Sequence, residues 1–169
     1  EIKLTNAQLA EMAGLATGEP RTALLSAIAA KEAMADAAIP NIGQWRVGLI
    51  SANTVGAMDK TETIYKYFMD DSSTDKLLEE DPYDSGYVTE LVADLLGIKD
   101  YVSTISTACS SSANSLAYGA RLILSGQLDV VLAGGCDALS KFTLNGFNSL
   151  MILDNQPCAP YDDNRRGLN

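Results

Sequence analysis

The chain has 169 residues, of which 47% are hydrophobic and 20% are charged, a balance that is ordinary for a single folded domain with a buried core. Its formal net charge of −10 argues against nucleic-acid binding, because that function depends on clustered lysines and arginines. No apolar run reaches the roughly 18 residues of a membrane span, and the first residues lack the pattern of a signal peptide. We therefore expect a cytoplasmic protein.

The first part of the chain predicts two helices and one buried strand. Thr5 or Asn6 can cap a short helix that ends at Gly14, and Pro20 suits the first turn of a longer helix. The apolar run at residues 46–51 is bounded by turn signals, which is typical of a strand covered on both faces.

A more variable stretch follows this strand. Residues 61–70 predict a helix, and the acidic run at residues 79–81 predicts a solvated loop. Residues 86–96 predict another helix, which Gly97 ends.

The order of elements then becomes clear: a strand at residues 101–107, a helix at residues 110–125 and a strand at residues 130–133. Strand, helix and strand in succession predict a parallel pair with a right-handed crossover. Because the last strand is almost continuously apolar, we expect a parallel sheet with both faces covered, in an α/β layered architecture.

The three cysteines, Cys109, Cys136 and Cys158, are widely spaced, with no CxxC pair and no histidine beside them. Neither a disulfide framework nor a metal site is predicted. Cys109 lies where a β-branched run gives way to a helix, whose unpaired N–H groups and dipole favour a thiolate. Its position at this strand-to-helix junction makes Cys109 the candidate nucleophile. Cys136 is expected to be a packing residue and Cys158 an inert loop residue.

Four sequence blocks, in order, resemble one enzyme family. Residues 102–121 resemble the active-site elbow of the β-ketoacyl-[acyl carrier protein] synthases, the condensing enzymes of fatty-acid and polyketide assembly. Residues 128–138 look like the strand and glycine pair that follow the nucleophile helix, and residues 143–151 like the segment that leads back over the site. Residues 160–169 look like the loop before the family's Gly-Glu-Gly turn. The resemblance implies a thiolase-like layered fold, with a mainly parallel sheet covered by helices and a buried helix after the nucleophile.

The resemblance also implies what part of an enzyme this is. Family members are well over twice this long and use two histidines and a lysine from a second, similarly folded half, whereas this chain has no histidine. Residues 1–169 are therefore expected to be a single domain, the core of the N-terminal half, without the family's first strand and helix or its C-terminal half. We expect the isolated chain to be inactive in condensation.

The activity implied by the resemblance is that of an acyltransferase that performs a decarboxylative Claisen condensation. An acyl group passes from the phosphopantetheine of acyl carrier protein to Cys109, and the carbanion formed from malonyl thioester then attacks it. The backbone N–H of Cys109, with one from the missing half, would hold the oxyanion. No metal and no bound organic cofactor is implied, and the pathway, fatty-acid or polyketide, stays open.

Two kinds of partner are implied. Acyl carrier proteins are acidic, and the helix that could present basic residues to them opens with only Arg21. Docking would therefore use residues outside this chain, the second subunit, or a patch of Lys141, Arg165 and Arg166. The family also forms two-fold dimers, either homodimers or ketosynthase-type heterodimers, and the uncharged strand at residues 101–107 is expected at the subunit boundary.

Two other functions compete with this one. The chain can instead be a non-catalytic chain-length or dimerisation partner of a condensing enzyme, although such partners lack the nucleophilic cysteine and Cys109 is present. A cysteine hydrolase is the other alternative. It is disfavoured because residues 107–111 have no glycine on either side of the cysteine and the chain has no histidine base.

Two smaller features have functional and structural interpretations. Gly134 and Gly135 permit either a close backbone turn near the site or simply a tight strand exit. Asp162 is expected to form a salt bridge with Arg165 or Arg166 that fixes the last loop.

Overall fold

The computed structural model describes residues 2–39, 42–70 and 84–168. The chain divides into two compact units, Glu1–Ala138 and Leu139–Asn169. The acidic run at residues 79–81 lies outside the described residues, and its solvated loop stays a prediction. That residues 1–169 form a single domain likewise stays a prediction.

The first unit is built on a three-stranded parallel sheet. Its strands are β1 (Val47–Ala52), β2 (Tyr101–Ile105) and β3 (Val130–Gly135), in the order β2-β1-β3. The expected parallel pairing of β2 with β3 is wrong in one respect, because each strand pairs with β1 instead. All six residues of β1 are buried, and a strand this apolar is most stable in the centre, where both its edges are also covered.

Within the described residues, five helices of the first unit accompany the sheet: α1 (Asn6–Ala13), α2 (Arg21–Asp36), α3 (Met58–Asp70), α4 (Ser85–Leu96) and α5 (Ser111–Leu124). The second unit contains α6 (Lys141–Ser149). Thr5 caps α1 through a capping box with Gln8, and Gly14 and Gly97 end α1 and α4 in the left-handed conformation. The predicted helix starts and stops are thereby confirmed for these elements. In the described ranges, no helix has both the length and the apolar character needed to cross a membrane.

Helices cover both faces of the sheet. Val47 and Leu49 of β1 pack with Leu24 and other residues of α1, α2 and α4 on one face. Ile50 points to the opposite face and packs with Leu122 of α5. The alternation of side chains along β1 therefore divides the core into two layers, as expected for a parallel sheet in an α/β fold.

The helix that follows Cys109 buries one of its faces. Ser111, Ser115, Gly119 and Leu122 of α5 are buried, whereas Leu116, which lies outside this face, is exposed. A methyl group on Gly119 would lie 2.9 Å from a side-chain carbon of Val131, so the glycine lets α5 approach β3 closely. The sheet thus fixes the position of α5, and with it the position of Cys109.

Candidate active site

Cys109 lies in a sharp turn between β2 and α5. A short 3-10 turn, Ala108–Ser110, separates the end of β2 from Ser111, and the thiol is exposed to solvent. Ala108 has a φ of +53°, a left-handed conformation that residues other than glycine rarely adopt. Strained backbone of this kind occurs where the surrounding structure holds a functional side chain in place.

The hydroxyl groups around the thiol hold this turn together. Ser111 Oγ accepts from Thr107 N at 2.8 Å and donates to the carbonyl oxygen of Ala108 at 2.7 Å. Ser110 Oγ donates to the carbonyl oxygen of Thr107 at 2.8 Å, and Asn114 Nδ2 donates to Thr107 Oγ1 at 2.8 Å. These bonds satisfy main-chain groups that the turn would otherwise leave unpaired, as the small polar residues of this segment predict.

A cavity of about 230 Å³ opens beside Cys109. Its walls come from the carboxyl end of β1, the start of α5 and the carboxyl end of β3: Ala52, Asn53, Thr54, Ala108, Ser111, Ser112, Gly135, Cys136 and Asp137. Ligands of open parallel α/β sheets bind in the crevice outside the carboxyl ends of the strands, and this cavity has that position. Cys109 is therefore placed to react with a molecule bound there.

The two glycines at the end of β3 differ in what they do. A methyl group on Gly135 would lie 2.6 Å from the carbonyl oxygen of Ala52 and 2.7 Å from Ser112 Oγ. A methyl group on Gly134 would meet nothing within 4 Å. Gly135 thus permits a close approach of β3 to Ala52 of β1 and to Ser112, whereas Gly134 has no such contact.

The three thiols have different surroundings. Cys136 is half-buried, and burial raises its pKa, as does the charge of Asp137, while a hydrogen bond with Ser26 acts in the opposite direction. A raised pKa leaves little thiolate at neutral pH, which agrees with the expected packing role of Cys136. Cys158 is exposed and lies in the second unit, and its inertness stays a prediction.

Sequence analysis did not identify the hydrogen bonds that hold the wall of the cavity opposite Cys109. The carboxylate of Asp137 accepts from Thr54 N at 2.8 Å and from Val55 N at 3.1 Å. The only signal in the sequence is that Asp137 follows the glycine pair at the end of a strand by two positions. This spacing does not indicate which groups the carboxylate binds.

A second buried bond ties the same loop to α2. The hydroxyl of Thr22 donates to the carbonyl oxygen of Gly56 at 2.8 Å and accepts from Ala138 N at 3.1 Å. Thr22 is fully buried. The chain that leaves β1 and the chain that leaves β3 are thus connected through one side chain of α2.

One predicted role of a charged residue is corrected. The carboxylate of Asp162 accepts from Asn164 N at 2.7 Å within its own turn, while Arg165 donates to the carbonyl oxygen of Asp162 and Arg166 pairs with Asp154 at 3.4 Å. The expected salt bridge of Asp162 is therefore wrong, because a local turn already satisfies that carboxylate.

Arg21 is also engaged within the chain. Its guanidinium donates to the carbonyl oxygens of Ile2 and Leu4 and to Asn6 Oδ1, at 2.7 to 2.9 Å. These bonds attach the first residues of the chain to α2. Of the proposed docking cations, Lys141, Arg165 and Arg166 all lie in the second unit.

The cavity offers one exposed thiol and a polar wall. Among the described residues that line it, two thiols and one carboxylate are titratable, and the chain has no histidine. The site can accept an acyl group on sulfur, but nothing in it can act as an imidazole acid or base.

Comparisons with known proteins show which family this chain resembles. The family model described as "Beta-ketoacyl synthase, N-terminal domain" matches residues 19–168. Nodulation protein E of Rhizobium meliloti (strain 1021) is 30% identical over 152 residues, which are 88% of this chain and 38% of that protein. The 3-oxoacyl-[acyl-carrier-protein] synthase 2 of Staphylococcus aureus is 25% identical over 158 residues, or 83% of this chain and 37% of that protein.

A solved structure shows the same architecture. The solved complex of the ketosynthase ApeO with its chain length factor ApeC, from Xenorhabdus doucetiae, contains a chain that matches with a TM-score of 0.67 and 28% identity, over 95% of this chain and 40% of that one. The thiolase-like α/β fold is thereby confirmed. This chain spans less than half the length of these relatives, and it belongs to the β-ketoacyl synthase family, within the N-terminal domain.

Proposed function

We propose that this chain supplies the nucleophile of a condensing enzyme and that Cys109 is the residue to which the acyl group is transferred. The observation that carries the proposal is the position of Cys109. It is exposed in a strained turn and opens onto a cavity at the carboxyl ends of the parallel strands. The match of residues 19–168 to the β-ketoacyl synthase model supports the same role.

The first step is acyl transfer. The sulfur of Cys109 attacks the carbonyl carbon of an acyl thioester carried on phosphopantetheine. The bond to the carrier's sulfur breaks, that sulfur leaves as a thiol, and a new thioester forms on Cys109. The acyl chain is held in a form that remains electrophilic toward carbon.

The second step needs groups that these 169 residues do not contain. A malonyl thioester loses carbon dioxide, and its carbanion attacks the acyl group on Cys109 to give a β-ketoacyl product and a free thiol. Imidazole groups would stabilise this decarboxylation, and the chain has no histidine. We therefore propose that condensation uses residues outside this chain, with acyl carrier protein as the donor of both substrates.

Intact-mass measurement tests the acyl transfer. The folded chain is incubated with an acyl thioester of N-acetylcysteamine, and the modified residue is located by peptide mapping. We expect one acyl group on Cys109, none on the Cys109→Ala variant, and unchanged acylation of the Cys158→Ala variant. Acylation of Cys136 or Cys158 in preference to Cys109 contradicts the proposal. Addition of malonyl carrier protein should give no β-ketoacyl product with this chain alone.

A second function is favoured by one observation. The solved ketosynthase ApeO is paired with a chain length factor, and β2 here is an edge strand that pairs only with β1 among the described residues. A chain that serves only as a chain-length or dimerisation partner would use this edge and would need no nucleophile. Acylation of Cys109 decides between the two functions.

A further inference from the structure

Asp137 lies at the point where the two strand ends that wall the cavity come together. It follows the last residues of β3, and its carboxylate accepts from Thr54 N, through Oδ1 at 3.0 Å and Oδ2 at 2.8 Å. Oδ1 also accepts from Val55 N at 3.1 Å. Thr54 and Val55 are the first residues after Asn53 in the loop that leaves β1. One carboxylate therefore fixes two consecutive main-chain amides of a neighbouring loop.

The anchored loop reaches the nucleophile turn. Thr54 lines the same cavity as Cys109, and its hydroxyl lies 3.4 Å from the carbonyl oxygen of Ala108, in donor geometry. Ala108 is the residue with the left-handed φ that immediately precedes Cys109. A contiguous path thus leads from the carboxylate of Asp137, through the main chain and hydroxyl of Thr54, to the turn that presents the thiol.

We infer that Asp137 is a positioning residue, which fixes the cavity wall at Thr54 and Val55 and so sets how large a group can approach Cys109. The inference rests on the proposed function of Cys109 as acyl acceptor and extends it to the selection of the acyl group. Asp137 does not touch the substrate in this role. It acts through the loop that it anchors, because a carboxylate that accepts several amide bonds holds main chain more rigidly than a neutral acceptor.

The experiment measures reagent size selectivity, which does not depend on how much of the thiol is ionised. N-methylmaleimide and N-benzylmaleimide react with the same thiolate, so the ratio of their rate constants at Cys109 reports access to the sulfur. Peptide mapping gives the same ratio at Cys158, which lies in the second unit and serves as the internal reference. Amide hydrogen exchange of Thr54 and Val55 is measured on the same samples.

The variants are Asp137→Ala, Asp137→Asn and Asp100→Ala. The asparagine keeps the shape and one acceptor oxygen, whereas the alanine removes both. Asp100 is the matched control, since its carboxylate accepts from Val47 N at 2.8 Å and so anchors β1 in the same way at the opposite end of that strand. A role in general stability would make the two alanine variants behave alike.

In Asp137→Ala we expect amide exchange at Thr54 and Val55, and the benzyl-to-methyl ratio at Cys109, each to rise about tenfold or more, because both amides lose a hydrogen bond to a charged acceptor. Asp137→Asn should fall between wild type and alanine, and Asp100→Ala should leave the ratio at Cys109 unchanged. An unchanged ratio in folded Asp137→Ala, or an equal rise in Asp100→Ala, overturns the inference. Acylation of Cys109 in the wild type is measured separately. If the wild type is acylated but Asp137→Ala does not change the benzyl-to-methyl ratio, the role of Asp137 is refuted while the proposed function of Cys109 stands.

Discussion

Gly135 and Ala52 bring the carboxyl ends of β3 and β1 into direct main-chain contact, with 2.6 Å between the carbonyl oxygen of Ala52 and the place where a Cβ on Gly135 would lie. Real Cβ atoms do not come so close to main-chain oxygens. The pairing of these strand ends therefore requires glycine at position 135. Because Gly135 and Ala52 both line the cavity beside Cys109, the shape of that cavity depends on the same glycine.

Gly135→Ala should destabilise the chain, while Gly134→Ala should not. The added methyl group at position 135 would clash with Ala52 and Ser112, and overpacking of this kind costs about 1 to 3 kcal/mol. The added methyl group at position 134 meets open space. Urea unfolding of both variants measures the difference. Equal stability of the two would show that the approach of β3 to β1 is not as close as described.

Cys109 should be the first thiol to react with iodoacetamide, and Cys136 the last. Cys109 is exposed, whereas Cys136 is half-buried and has a raised pKa, so a smaller part of it is thiolate at any pH below that value. The labelling rate of Cys136 should still increase at pH values where the labelling rate of an ordinary thiol no longer increases. Limited labelling at several pH values with peptide mapping tests both points. If Cys136 reacts before Cys109 in the folded chain, the assignment of the nucleophile fails.

The pair of Arg46 and Asp129 should make stability depend on acid pH. Arg46 donates to both carboxylate oxygens of Asp129, and these bonds lower the pKa of Asp129 from 3.8 to about 2. The stabilising contribution is therefore complete above pH 3.8 and is lost as the pH falls toward about 2. Asp129→Asn should be less stable than wild type at neutral pH, with a difference that shrinks over this acid range.

Because the pair is exposed, added salt should also reduce that difference. Denaturant unfolding at stepped pH and at two salt concentrations provides the measurement. A difference that stays constant down to pH 2 would mean that the variant acts through something other than the charge of Asp129.

A two-fold dimer should form along β2. The strand lies at one edge of the sheet, and Tyr101–Ile105 contains no charged residue and no proline to block association. Ile105→Lys places a charge at this edge, and Ser103→Pro removes a backbone donor, so both variants should shift the chain toward monomer. Light scattering at micromolar concentration gives the outcome. A monomeric wild type, or a dimer that neither substitution affects, removes the basis for this interface.

Local signals predicted most of the elements. Thr5 begins a helix, and Gly14 and Gly97 each end one, at the positions that the sequence predicts. These signals are local because a capping residue contacts only the end of its own helix. The turn at Cys109 is equally local, since Cys109 and the serines after it lie within a few residues of one another. Both the turn and the helix that follows it could be predicted for that reason.

Long-range arrangement could not be predicted in the same way. β1 lies between β2 and β3 because exposure at an edge of the sheet would cost this strand more free energy than it costs the other two. The order of the strands along the sequence does not reveal these relative costs. The bond from Thr54 to Asp137 spans 83 positions and that from Thr22 to Ala138 spans 116. Such partners meet only once the sheet has folded, because the sheet brings the carboxyl ends of separate strands together.

The strand order also has a consequence for how the chain behaves in concentrated solution. Among the described residues, β3 as well as β2 has one side without a strand neighbour. Two copies that meet β2 to β2 close on themselves, and growth stops at the pair. Two copies that meet β2 to β3 leave the same two edges free again, and each addition creates the template for the next. A group that covered the free edge of β3 would therefore limit assembly to the pair. With that edge free, copies could continue to add as an extended ribbon.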